Sequence, residues 1–238
     1  MMLLSGRTAI VVGASSGIGL ATSREAANRG AHVVMVSRSA EKLEQASQGI
    51  AGQPAVFPVD MLDGAGLASA FADFARVDYV VLTAVADELA RRAPIDQLSD
   101  DQIERSFDKM RGYVRILRIL APKLSADGAI VLLCGASAAR APGPGFALLS
   151  AESSAIVGLG RALAAELAPI RVNVLMAGLV DTPIHHAKRE QTKSWAETSL
   201  PARRFGQPAD IADAILTLLT NPYTTGQTLV VDGGLSLM

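Results

Sequence analysis

Cysteine, aromatic side chains and an excess of either charge are what this sequence has least of. Cys134 is the one cysteine in 238 residues, which excludes an intrachain disulfide framework and a thiolate metal cage. Aromatics make up 4%, too few for the stacking platforms that grip single-stranded nucleic acid. Lys and Arg number 22 against 23 Asp and Glu, so there is no basic footprint for a phosphate backbone. The opening Met1-Met2-Leu3-Leu4-Ser5-Gly6-Arg7 lacks the basic and apolar regions of a secretory signal. The longest apolar stretch, 129–139, is broken by Gly135 and Ser137 and is too short to cross a bilayer. The expectation is a soluble cytoplasmic protein with no nucleic acid, membrane or metal among its partners.

What is abundant is apolar residue: half the chain, with a mean hydropathy of +0.30. Short β-branched runs recur at Thr8–Val12, His32–Val36, Ala55–Val59, Tyr79–Leu82, Ala129–Leu133, Val172–Leu175 and Thr228–Val231. Runs without alternation are the pattern of parallel strands covered by helices on both faces. Helical spacing lies between them, as in 19–28, which stops at Gly30, and 210–219, which stops before Asn221-Pro222. The alternation predicts one α/β domain over 1–238, a doubly wound Rossmann-type sheet of seven parallel strands joined by right-handed crossovers. The long stretch without a strand signal, 182–206, reads as a lid-like insertion. Its lone Trp195 is either a lid anchor or loop packing, and its adjacent His185 and His186 make a poor metal pair.

The strongest local signal is Val12-Gly13-Ala14-Ser15-Ser16-Gly17-Ile18-Gly19, between the first strand and the first helix. Backbone without Cβ atoms approaches a pyrophosphate closely, and a helix N-terminus offers N–H donors and the positive end of a dipole. Gly13, Ser15, Ser16, Gly17, Ile18 and Gly19 are therefore candidate cofactor contacts. At the end of the second strand, Ser37-Arg38-Ser39 stands where an acid would accept from the ribose 2′-OH of NAD. An arginine forks onto a phosphate and the serines donate to it, so NADP(H) is preferred.

The Gly-x-x-x-Gly-x-Gly spacing resembles the short-chain dehydrogenase/reductase family, and the likeness runs nearly end to end. Leu163–Ala168, Ile170–Val174, Gly178–Pro183, Arg204–Ala212 and Gly226–Gly234 are similar to that family's later landmarks. The resemblance implies hydride transfer between a nicotinamide and a carbonyl or alcohol substrate. It also implies Asp60 and Met61 beside the adenine, Thr83, Ala84 and Val85 along the cofactor, and Gly178, Val180 and Thr182 near the nicotinamide carboxamide. Members commonly pair through their fourth and fifth helices, so a homo-dimer or homo-tetramer is expected, with the small residues Ala151, Ser154, Ala155 and Gly158 permitting close packing.

The resemblance fails where the family keeps its chemistry. Anchored on Gly158-Leu159 and Leu163-Ala164, the family's tyrosine position falls on Leu149 and its lysine position on Ser153. Leucine donates no proton and serine carries no charge. The family's active-site serine falls near Cys134 and Ser137, and its helix-four asparagine on Lys109. Asp108-Lys109 and Cys134-Gly135 are similar to a branch of the family that also lacks the Tyr-Lys pair. Lys109, Cys134 and Ser137 are thus the catalytic candidates, with Lys109 as a relocated electrophile or proton donor whose pKa burial would lower. The plainer reading of Lys109 is an exposed residue on a basic helix. Tyr113, one turn on, is either a substitute phenol or a core aromatic. The alternative to an enzyme is a catalytically inactive module that binds or senses NADP(H).

Overall fold

The computed structural model describes residues 4–238; Met1, Met2 and Leu3, part of the opening segment read above for a secretory signal, lie outside the described residues. Seven strands form one parallel sheet: β1 (Thr8–Val12), β2 (His32–Ser37), β3 (Ala55–Pro58), β4 (Val77–Leu82), β5 (Leu124–Gly135), β6 (Arg171–Ala177) and β7 (Thr228–Val231). Their order is β3-β2-β1-β4-β5-β6-β7, with the direction reversing beside β1, where a ligand crevice forms at the strand carboxyl ends. All seven apolar runs are strands. The central ones extend further than the runs, because flanking polar residues such as Asp78 and Arg171 join the ladder once both are bonded internally.

The helices are α1 (Gly17–Asn28), α2 (Ala40–Ser47), α3 (Gly64–Ala70), the short α4 (Asp100–Glu104), α5 (Asp108–Leu120), α6 (Ala147–Glu166), α7 (Arg189–Ser199) and α8 (Pro208–Thr220). Successive strand residues point to opposite faces, which divides the core in two. Ala9, Val11, Val33 and Met35 pack with α1, α2 and α8, whereas Ile10, Val12, Val34 and Val36 pack with α3, α5 and α6. Arg171 closes one helix end from the sheet, donating to the carbonyls of Leu218 at 2.8 Å, Leu219 at 2.6 Å and Asn221 at 2.8 Å. These are orphan acceptors at the C-terminus of α8.

Among the described residues, the helix long and apolar enough to cross a membrane by length and composition is α6, with a mean hydropathy of 1.2 over 18 residues, rather than the 129–139 stretch, which is β5 and the turn after it. Its inner face lies on β5 and β6, with Gly160 tight against Val174. Ala151, Ser154 and Gly158 are exposed and Ala155 half-buried, so these small residues largely face away from the sheet. The 182–206 insertion is mostly helical, a 3₁₀ segment running into α7. A bridge between Val180 and Gly206 closes its base, and Arg189 clamps Asp181 with bonds of 2.7 and 2.5 Å. Trp195 is 41% exposed while Ala196, Leu200 and Phe205 form the small buried cluster there. The tryptophan is therefore not the anchor.

Candidate active site

A cleft of about 580 Å³ opens at the carboxyl ends of β1, β4, β5 and β6. Every residue singled out for the cofactor lines it: Gly13, Ser15, Ser16, Gly17, Ile18 and Gly19 from the glycine turn, Ser37, Arg38 and Ser39 after β2, and Asp60 and Met61 after β3. Thr83, Ala84 and Val85 after β4 and Gly178, Val180 and Thr182 after β6 complete the wall. Lys109, Cys134 and Ser137 reach the same space.

The glycine turn is shaped first by its own packing. Gly13 has φ +90° and a Cβ there would stand 2.6 Å from the Ala84 nitrogen, while one on Gly19 would stand 2.3 Å from the Gly13 carbonyl. What remains for a ligand is the end of α1. Ser16 makes no side-chain capping bond and the first turn holds no acid, whereas α2 and α3 are capped by Ser39 and Asp63. Free N–H donors and a positive dipole end facing a cleft suit a pyrophosphate. Around Arg38, the Ser15 and Ser37 hydroxyls lie 2.9 Å apart, and the Ser39 hydroxyl accepts from the Lys42 amide, which leaves its own proton free. Lys42, overlooked in the sequence because it falls inside α2, also lines this end. The donor set fits a phosphorylated dinucleotide.

The other end is organised around Lys109, which is 6% exposed. The exposed-helix reading is overturned: α5 turns this residue inward while Arg111, beside it, faces out. Its ammonium lies 3.4 Å from Glu88 Oε1, and both side chains are 8% exposed. The other Glu88 oxygen accepts the Ala86 amide at 2.6 Å. Beneath Lys109, the buried Glu152 accepts the amides of Lys109 at 3.1 Å and Met110 at 3.3 Å, meeting orphan donors at the start of α5.

These neighbours reverse the expectation for the lysine. Burial disfavours its ammonium, but the acidic groups that face it outweigh burial and hold the group above the ordinary lysine range. The Tyr113 phenol is itself pushed upward by burial and stays neutral, so the Glu88 carboxylate carries the compensation. Burial pushes Glu152 up to about 7, with the Lys109 charge pulling the other way. A lysine kept charged polarises a carbonyl well and donates a proton poorly at neutral pH.

Tyr113 is fully buried, and its hydroxyl lies 3.2 Å from both the Ala84 and Leu133 carbonyls. It is a core aromatic rather than a substitute phenol. Cys134 is 2% exposed and burial pushes its thiol up to about 11, so it stays protonated, a weak donor. The Ser137 and Ser153 hydroxyls lie 3.2 Å apart on the wall of the cleft. Leu149 lines the cleft without filling it, beside Phe146, His185 and Leu235. Glu88 and Leu235 carry no sequence signal. One sits in an unpatterned segment, and the other is brought in by the turn in which Asp232 accepts the Gly234 and Ser236 amides.

Comparison with known proteins agrees with this architecture. Residues 13–236 match the family model described as Enoyl-(Acyl carrier protein) reductase. The chain is 31% identical to carbonyl reductase family member 4 of Danio rerio, covering 98% of this chain and 99% of that protein. A small-chain dehydrogenase solved in complex with NADPH superposes with a TM-score of 0.83 at 26% identity, over 98% of this chain and 99% of the other. A short chain oxidoreductase of Pseudomonas aeruginosa PAO1, described as containing an atypical catalytic center, superposes with a TM-score of 0.85 at 29% identity, over 98% of each chain.

Proposed function

The chain belongs to the short-chain dehydrogenase/reductase family, and from that premise we propose that it is an NADP(H)-dependent carbonyl reductase or alcohol dehydrogenase in which the buried Lys109 replaces the family's Tyr-Lys pair. When bound, the nicotinamide supplies or receives the hydride. The observation that carries this reading is a charged, buried lysine side chain reaching the cleft that the cofactor candidates line.

The glycine turn and the N-terminus of α1 hold the pyrophosphate, Asp60 and Met61 flank the adenine, and Arg38 with Ser37 and Ser39 receives the 2′-phosphate. Thr83, Ala84 and Val85 line the middle, and Gly178, Val180 and Thr182 meet the carboxamide. Lys109 stabilises the negative charge that develops on the carbonyl oxygen, a preorganised charge on a side chain shielded from solvent. Ser137 and Cys134 add neutral donors beside it. The proton arrives by way of the Ser137-Ser153 hydroxyl pair or from solvent through the open mouth. A leucine at position 149 leaves an apolar wall there, which suits a substrate with an apolar body.

Two copies pair through the outward faces of α5 and α6, where Val114 and the small residues of α6 are exposed. The reading of the chain as an inactive NADP(H)-binding module draws its support from Leu149 and Ser153, neither of which can perform the family's acid chemistry. Following NADPH oxidation with a panel of aldehydes, ketones and diketones separates the two. An enzyme oxidises NADPH only when a carbonyl is added, whereas the module binds NADPH and does not oxidise it with any carbonyl of the panel.

A further inference from the structure

The feature that the proposed function leaves unused is Asp87, the neighbour of Glu88. Glu88 turns inward to Lys109, and Asp87 turns outward to Arg38, with Arg38 Nη1 3.6 Å from Asp87 Oδ2 and both side chains 55% exposed. Arg38 follows β2 and Asp87 lies in the segment after β4, and in the sheet these strands flank β1. The ion pair thus spans the carboxyl end of β1, above the glycine turn, and both residues line the cleft.

We infer that Asp87 is a specificity-determining residue for the cofactor, competing with the ligand's 2′-phosphate for Arg38 and offering a 2′-hydroxyl the carboxylate acceptor that the end of β2 lacks. The inference rests on the proposal that the cleft takes NADP(H) through Arg38. A 2′-phosphate carries close to two negative charges and takes an arginine from a single half-exposed carboxylate. It meets resistance in doing so, because Asp87 must give up its partner and the two anions repel. A cofactor with a free 2′-hydroxyl makes no claim on Arg38 and gains an acceptor. Asp87 therefore narrows the preference that Arg38 creates, and the protein accepts both forms.

The surroundings keep this effect local. Glu88 is fixed by Lys109 and by the Ala86 amide, and on the other side Ser37 is bonded to Ser15 and Ser39 caps α2. Only the Asp87 and Arg38 side chains need to move. Asp87 has φ +58°, a left-handed conformation that asparagine adopts as readily as aspartate, so Asp87→Asn removes the charge without backbone strain.

The test uses calorimetry with 2′,5′-ADP and ADP, adenosine halves of the cofactor with and without the 2′-phosphate. In D87N the Kd for 2′,5′-ADP falls about threefold, the scale of an exposed ion pair, and the Kd for ADP does not fall. In Arg38→Gln the Kd for 2′,5′-ADP rises about tenfold or more, and adding D87N to R38Q lowers it by less than D87N lowers it with Arg38 present. An unchanged ratio of the two Kd values in D87N overturns the role of Asp87. So does an equal gain from D87N with and without Arg38, since Asp87 then acts by bulk charge. If R38Q leaves 2′,5′-ADP binding intact, the NADP(H) reading itself fails, whatever D87N does.

Discussion

The Lys109 ammonium lies 3.4 Å from Glu88 Oε1, and the two side chains are nearly inaccessible to solvent. One element of the pair comes from the start of α5 and the other from the segment after β4, so neither position announces the other in the sequence. Their pairing decides what the lysine can do. A lone buried lysine drifts toward neutrality, whereas one facing a carboxylate keeps its charge.

Removing that carboxylate changes stability and titration together. Glu88→Gln leaves a buried ammonium without its counter-charge, at a cost of about 3 kcal/mol in unfolding free energy. The folded Lys109 pKa is raised above the unfolded value, so its contribution is complete below the unfolded pKa and is lost only as pH rises through the raised folded value. In E88Q the unpaired ammonium drifts toward neutrality, so the folded pKa falls and the deficit shrinks as pH rises toward the unfolded lysine value. Chemical denaturation between pH 7 and 10 reads both, with a deficit in E88Q that persists through neutral pH.

Glu152 also loses stability as pH rises, but in a lower window. Its folded pKa, pushed up to about 7, lies above the unfolded glutamate value, so the native state holds the extra proton and loses stability as pH rises from about 4.3 toward 7. Glu152→Gln keeps an oxygen acceptor for the Lys109 and Met110 amides and has no such dependence. The melting temperature of E152Q relative to the parent rises across that interval and levels above it. A constant difference contradicts the assignment.

The glycine turn predicts a coupled loss. Gly19→Ala drives a Cβ to 2.3 Å from the Gly13 carbonyl and 2.6 Å from Thr83 Oγ1, an overpacking cost of about 1–3 kcal/mol. Because the same shift disturbs the N-terminus of α1, dinucleotide affinity falls with it. Thermal unfolding and NADPH titration check the two halves separately.

Pairing through α6 is tested at Gly158, where an added Cβ meets nothing within 4 Å in the single chain. Gly158→Arg is tolerated by a monomer and obstructs a copy packed on that face. Light scattering of G158R shows monomer where the parent shows dimer or tetramer; monomer for both removes the pairing proposal.

The fold was legible because its signals are local. Runs such as Thr8–Val12 and Thr228–Val231 became strands with the same bounds, and the glycine turn sits where strand, turn and helix predict. The cofactor candidates came together because the parallel topology places every strand's carboxyl end on one edge. Lys109 was legible by position but not by environment, since the charge that fixes its state is brought in by Glu88 from twenty-one residues away. Tyr113 shares a helix face with Lys109, yet burial against the Ala84 and Leu133 carbonyls spends its hydroxyl in the core. Neither fact is written in spacing.

The central claim is that Lys109 supplies the charge on which carbonyl chemistry depends in a site without tyrosine. Lys109→Met keeps the length and removes the ammonium, and the decisive measurement is single-turnover NADPH oxidation with whichever carbonyl of the panel the parent reduces. The account predicts a fall of about a hundredfold or more in the rate of hydride transfer, with the Kd for NADPH within about twofold of the parent. A hydride-transfer rate equal to the parent's, at the same NADPH affinity, contradicts it.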